Sequence, residues 1–209
     1  MALPMSLLER GVGVTRALSR WATRLIGLLL LLVVAFVIVE IALRKTGLGT
    51  LPGVHEYAGY VLAALSSWGL SQTLIERAHI RIDLGYSRLP AAGRAALDLV
   101  SILAVSLVGW IIAIHAWPVL ATSLANGSLA NTPLSTPLWI PQLLWFAGYV
   151  WFALTASMLA LRSLAAALEG DTTRLTSLIG MGAGEKAEAR AAVAPDRAPD
   201  HERRRNTPC

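Results

Sequence analysis

Four long apolar blocks divide this chain, separated by short stretches that carry nearly all of its charge. Leu25–Leu43 contains one charged residue, Glu40. Tyr57–Leu74 contains no charged residue or histidine, Leu99–Leu120 contains only His115, and Leu138–Leu161 contains neither. A helix needs about 20 apolar residues to cross a hydrocarbon core of about 30 Å. In lipid the backbone must satisfy its own hydrogen bonds, so blocks of this length are helices rather than strands. The pattern predicts an all-α membrane protein with four transmembrane helices at about 25–43, 57–74, 97–120 and 138–161. The first block follows several arginines, as a signal peptide would. It nevertheless ends in "VEIALRK" without a small-x-small cleavage site, so it reads as an uncleaved first helix.

The basic residues orient the helices. Arg10, Arg16, Arg20 and Arg24 precede the first span, Arg44 and Lys45 follow it, and Arg77, Arg81, Arg88 and Arg94 lie between the second and third. The segment Ala121–Pro137 has none. With Arg162 and Arg174 counted near the last span, ten fall on one side and two on the other. Positive residues stay inside, which predicts that both termini and the second connection are cytoplasmic. An even number of spans requires these three segments to share a side, and the charge bias agrees with it.

That second connection, "LIERAHIRIDL" at 74–84, is the first long polar interruption. As a helix it gathers Arg77, Arg81 and Arg88 on one face; as an extended segment Arg77, His79, Arg81 and Asp83 alternate with apolar residues. Either geometry gives an amphipathic cytoplasmic arm over about 75–89 that lies in the membrane interface. Pro90 is suited to open the third helix. The expected organisation is a cytoplasmic N-terminal segment at 1–20, a four-helix domain at 21–168 and a tail at 169–209. From Gly180 the tail is rich in Ala, Arg, Glu, Asp and Pro and cannot bury enough surface to order itself.

Composition supports the membrane reading: 55% of residues are hydrophobic, 15% are charged, and mean hydropathy is +0.58. The net charge of +5 follows from the positive-inside bias, so the basic segments point to anionic lipid headgroups rather than nucleic acid. One cysteine, Cys209, allows neither an intramolecular disulfide nor a thiolate metal cluster.

The candidate chemistry is sparse. Glu40 precedes Arg44 at i, i+4, the favourable order for a helical ion pair, and Arg94 can neutralise Asp98 at the same spacing. An intramembrane carboxylate can mark an ion pathway, but Glu40 lies near the end of its span with a cation in reach. His55 and His115 both fall toward the outer face, where bis-imidazole ligation of a b-type haem is the alternative reading. His115 otherwise suits a hydrogen bond within a helix interface. The seven tryptophans lie mostly near span ends, as interfacial anchors do. No serine-nucleophile elbow, zinc-protease helix or phosphate-cradling loop occurs. Nor do the Gly/Pro-broken helix pairs that build transporter substrate sites. Enzyme activity, cofactors and metals are therefore not expected, and a free-standing four-helix scaffold or channel remains a further alternative.

Several stretches in order resemble the small, DctQ-like membrane subunit of tripartite ATP-independent periplasmic (TRAP) transporters. They are "IALRK" with Arg44 ending the first span, "HEYAGY" with Glu56 opening the second, and "ERAHIRIDL" with Arg77, His79, Arg81 and Asp83 on the inner side. "LP" at Pro90 follows, then "NTPLSTPLWIP" before the fourth span. The resemblance covers roughly Trp21 to Leu168. It departs at "SQTLIE", where such proteins more often have small residues and arginines. It implies a bacterial inner-membrane protein whose partners are a large multi-span permease and a periplasmic solute-binding protein. The large subunit would carry the substrate and sodium sites and move like an elevator. This chain would be its fixed scaffold in ion-coupled uptake of a small carboxylate-bearing solute.

Overall fold

The computed structural model describes residues 5–76, 89–132 and 134–170. Residues 77–88, the greater part of the connecting arm, lie outside that range, as do 1–4 and the tail from 171. The described chain is helical: α1 (Met5–Thr46), α2 (Val54–Glu76), α3 (Ala91–Ala125) and α4 (Trp139–Leu168). Each apolar block lies in one of these helices.

Three helices are long and apolar enough to cross a membrane, over Gly13–Thr46, Ala92–Ala125 and Trp139–Leu168. The fourth, α2, has 23 residues, about 34 Å at 1.5 Å per residue. It is long enough but less apolar, because Ser66, Ser67, Ser71, Gln72 and Thr73 crowd its second half. Three of its hydroxyls are turned back on its own backbone. Ser66 and Ser67 donate to the carbonyls of Ala63 and Ala64 at 2.9 and 3.1 Å, and Thr73 donates to Leu70 at 3.0 Å. Back-bonding of this kind lowers the cost of placing the helix inside a bundle, although Ser71 Oγ and Gln72 Oε1 are buried without a hydrogen-bond partner.

The first helix starts well before its apolar block. No proline interrupts Met5–Thr46, so the arginine-bearing segment continues helically into the span for about 63 Å. One seam of α1 is covered: Ser19, Thr23, Ile26, Leu30, Val33, Val37 and Glu40 are buried or half-buried. Their alternating steps of four and three give a period of 3.5, the repeat of a left-handed helix pair. The opposite face stays open, with Leu28, Leu31, Phe36 and Ile38 exposed. Lipid is as apolar as leucine, so such a face is stable there without a protein neighbour.

In space the order is α1, α2, α4, α3. The chain-adjacent pairs α1·α2 and α3·α4 pack closely, α2 packs on α4, and α1 meets α4 less extensively. Small residues set the close approaches. A Cβ on Gly109 would stand 3.2 Å from the Ala153 backbone, and one on Gly148 would stand 2.4 Å from Ser67 Oγ. Ala153 and Ala156 are fully buried at the α4 centre, with Phe152, Ile102, Leu74 and Leu159 around them. Backbones that approach this closely gain dispersion contacts, which drive helix association where no hydrophobic effect operates.

The linkers at 47–53 and 126–138 lie at one end of the bundle, here termed the loop end. At the end of α3, Asn126 closes the helix and Gly127 takes φ +56°. Ser128 N then reaches Ser123 O at 3.0 Å, a left-handed cap of the kind glycine favours.

Candidate functional site

The polar side chains of the loop end form two clusters. In the first, Glu40 is only 2% exposed although it ends an apolar helix. Arg44, one turn later, donates from Nη2 to Glu40 Oε1. His55 Nε2 stands 3.5 Å from the second oxygen. The carboxylate therefore faces a cation of its own helix and an imidazole at the start of α2. Burial of a carboxylate is costly unless it is paired, and here the pairing also joins two helices.

The second cluster is built on Glu56, in the first turn of α2 and ahead of the 57–74 span. Tyr60 donates to Glu56 Oε1 at 2.5 Å. The hydroxyls of Thr132 and Thr136, from the α3–α4 loop, stand beside the carboxylate. Thr132 and then Tyr60 hold the Glu56 carboxyl below the ordinary carboxylate range against the opposing effect of desolvation, and Thr136 adds a lesser contribution. Glu56 Oε2 and Thr132 Oγ1 are both screened from solvent without a fully formed hydrogen bond, so Thr132 and Thr136 act on the carboxylate through short-range polar contact. Beside this cluster Leu134 covers Gly53, whose φ is +85°. A Cβ there would lie 2.0 Å from Leu134 Cδ1.

Away from the loop end, polar side chains join helices. Trp151 Nε1 donates to Ser19 Oγ at 3.0 Å, Trp110 Nε1 to Ser157 Oγ at 2.9 Å, and Trp68 Nε1 to Leu144 O at 3.0 Å. Ser106 and Ser157 share a further hydrogen bond at 3.0 Å. Trp68 and Trp151 stack with ring centroids 6.5 Å apart. Three of the seven tryptophans thus bridge helices rather than serving only as interfacial anchors. Trp21, 72% exposed, retains the geometry of an anchor.

The remaining site residues divide clearly. Pro90 is the N-cap of α3, with φ −63° and ψ 160°. Arg94 and Asp98 lie one turn apart on that helix, and Asp98 is 3% exposed. Arg77, His79, Arg81 and Asp83 fall outside the described residues. His55 is drawn to Glu40, whereas His115 Nδ1 contacts its own helix at Ile111 O, 2.8 Å away. These separate engagements leave the bis-imidazole haem reading without support. Among the described residues, no group of three or more His, Cys, Asp or Glu side chains could hold a metal ion.

The sequence reading singled out Glu56 but not Tyr60, Thr132, Thr136 or Gly53. Tyr60 at i+4 from Glu56 was a readable signal. Contacts from a loop more than 70 residues away had no local signature.

A family model described as "Tripartite ATP-independent periplasmic transporters, DctQ component" matches residues 33–166. No curated protein and no solved structure gives a significant match.

Proposed function

The chain belongs to the DctQ component family of tripartite ATP-independent periplasmic transporters, and from that premise we propose that it is the small, non-catalytic permease subunit that scaffolds the large one. It is a multi-pass membrane protein. The observation that carries the scaffold reading is the use made of polar side chains between the helices. Ser19, Ser106, Ser157, Trp110 and Trp151 link helix to helix, and Thr155 and Ser163 bond to their own backbone. These groups are spent on rigidity, as a stationary element requires. The open apolar faces of α1 and α3 offer area to lipid and to the large subunit.

In this reading all four helices span the bacterial inner membrane, α2 being sheltered by its neighbours. The arginine bias places both termini and the 75–89 arm in the cytoplasm, with Arg77, His79, Arg81 and Asp83 contacting lipid headgroups and the large subunit. The loop end then faces the periplasm and the soluble binding protein. The large subunit binds and moves the solute, a small carboxylate, with ion coupling.

The test is uptake in cells that lack this chain but retain the large permease and the binding protein. Uptake should be abolished and then restored by re-expression. Uptake at the normal rate without the chain would refute the scaffold role.

A further inference from the structure

We infer that Gly53 and Glu56 are positioning residues that latch the α3–α4 loop onto the start of α2, so that both loops present one preformed surface to the soluble binding protein. This rests on the orientation proposed above, but the latch itself is a property of the loop end alone.

Two contacts of different physics join the same two segments. The first is steric. Gly53 precedes α2 with φ +85°, a conformation that L side chains rarely adopt. Leu134 occupies the space a side chain would need, with Cδ1 2.0 Å and Cγ 2.7 Å from an ideal Cβ. The second is polar. Glu56 lies three residues after Gly53 and meets hydroxyls from Thr132 and Thr136, which flank Leu134. The apolar plug and the carboxylate thus engage one short stretch of the loop from two sides.

That stretch is already shaped by its own backbone. Leu129 and Pro137 form an antiparallel bridge. Ala130 N bonds to Thr136 O at 2.9 Å, Leu138 N to Ser128 O at 3.0 Å, and Ser135 N to Thr132 O at 3.0 Å. Ser135 takes φ +47°, a turn conformation that is uncommon for a residue other than glycine. A loop closed on itself moves as a unit, so fixing it at Gly53 and Glu56 fixes its outward face. The two segments together expose Leu48 and Leu129, and Ala121–Pro137 carries no charged residue. The partner patch that these loops fit is therefore apolar and hydroxyl- or amide-bearing, with the exposed Arg44 beside it. Ordering such a loop before docking removes a cost that binding would otherwise bear.

The experiment uses the full complex in lipid nanodiscs and in proteoliposomes. Hydrogen exchange is followed over 126–138 for Glu56→Gln, Thr132→Val, Leu134→Ala and the Glu56→Gln/Thr132→Val pair. Leu134→Ala should raise exchange in this loop by about tenfold, the scale of losing a packed side chain, and each polar variant by about threefold, the scale of a modest polar contact. The polar pair should do no more than its stronger member, and Thr132→Ser should restore protection. In proteoliposomes the binding-protein concentration for half-maximal uptake should rise while the maximal rate stays unchanged. Unchanged exchange in Glu56→Gln and Leu134→Ala overturns the latch, whatever uptake does. Raised exchange with an unchanged binding-protein requirement overturns its role in docking. Neither result touches the scaffold reading, which fails only if uptake proceeds without this chain.

Discussion

Trp151 on α4 donates its indole N–H to Ser19 on α1 at 3.0 Å, across 132 residues of sequence. Ser19 is fully buried, and α1 otherwise meets α4 only sparingly. Trp151→Phe keeps most of the stacking on Trp68 but removes the donor. It should destabilise the detergent-solubilised protein by about 1 kcal/mol, the scale of interhelical hydrogen bonds within membranes. Ser19→Ala should cost a similar amount, and the double variant should cost less than the two together. Strict additivity in denaturant titrations would show that the bond contributes nothing.

Gly148 sets the α2–α4 separation. Any Cβ there meets Ser67 Oγ at 2.4 Å and both Ser67 Cβ and Trp68 Cδ1 at 2.8 Å. Gly148→Leu should therefore force the helices apart and cost about 2–3 kcal/mol. Gly27→Ala is the control, because nothing lies within 4 Å of its Cβ position, and it should not lower the melting temperature. Equal thermal stability of Gly148→Leu and wild type would mean that the close approach is not required.

The pairing of Glu40 and Arg44 is unequal: Arg44 is 62% exposed and Glu40 2%. Removing the arginine leaves a buried carboxylate facing the His55 imidazole, whereas removing the carboxylate leaves an arginine in reach of water. Arg44→Ala should thus destabilise by about 2 kcal/mol, the cost of an unsatisfied buried group. Glu40→Gln should cost clearly less, and the double variant no more than Arg44→Ala. Melting temperatures in the reverse order would contradict this account.

Glu56 gives the latch a pH limit. Its carboxyl is held below the ordinary value of 4.5 by Thr132, Tyr60 and Thr136. A depressed carboxylate contributes stability that is fully present above its unfolded value and is lost as pH falls through the folded one. Exchange over 126–138, corrected for intrinsic rates, should therefore be unaffected by pH from neutrality down to about 5. It should rise only in acid, and Glu56→Gln should abolish that rise. Loosening of the wild-type loop between pH 6 and 7 would point to a different group.

Each helix was legible as an apolar block because lipid rewards length and hydropathy, which are local properties. Other features depended on partners far away in sequence. The seam Ser19–Glu40 follows a 3.5 repeat that leucines and valines on every other face of α1 conceal. The pairing of α2 with α4 depends on Gly148 opposite Ser67, and neither residue announces its neighbour. Trp110 and Trp151 read as anchors from their chemistry, yet Ser157 and Ser19 turn them into bridges. At the loop end Glu56 was marked by the family pattern in "HEYAGY". Its threonine partners were ordinary loop residues until folding brought them to it.

The most direct measurement of the central claim is co-purification. A tag on this chain, co-expressed with the large permease and extracted in mild detergent, should recover that permease in stoichiometric amount. Arg44→Ala and Asp83→Ala should each reduce the yield without changing the transported solute. Recovery of a folded chain alone, with the large permease intact in the unbound fraction, would contradict the account.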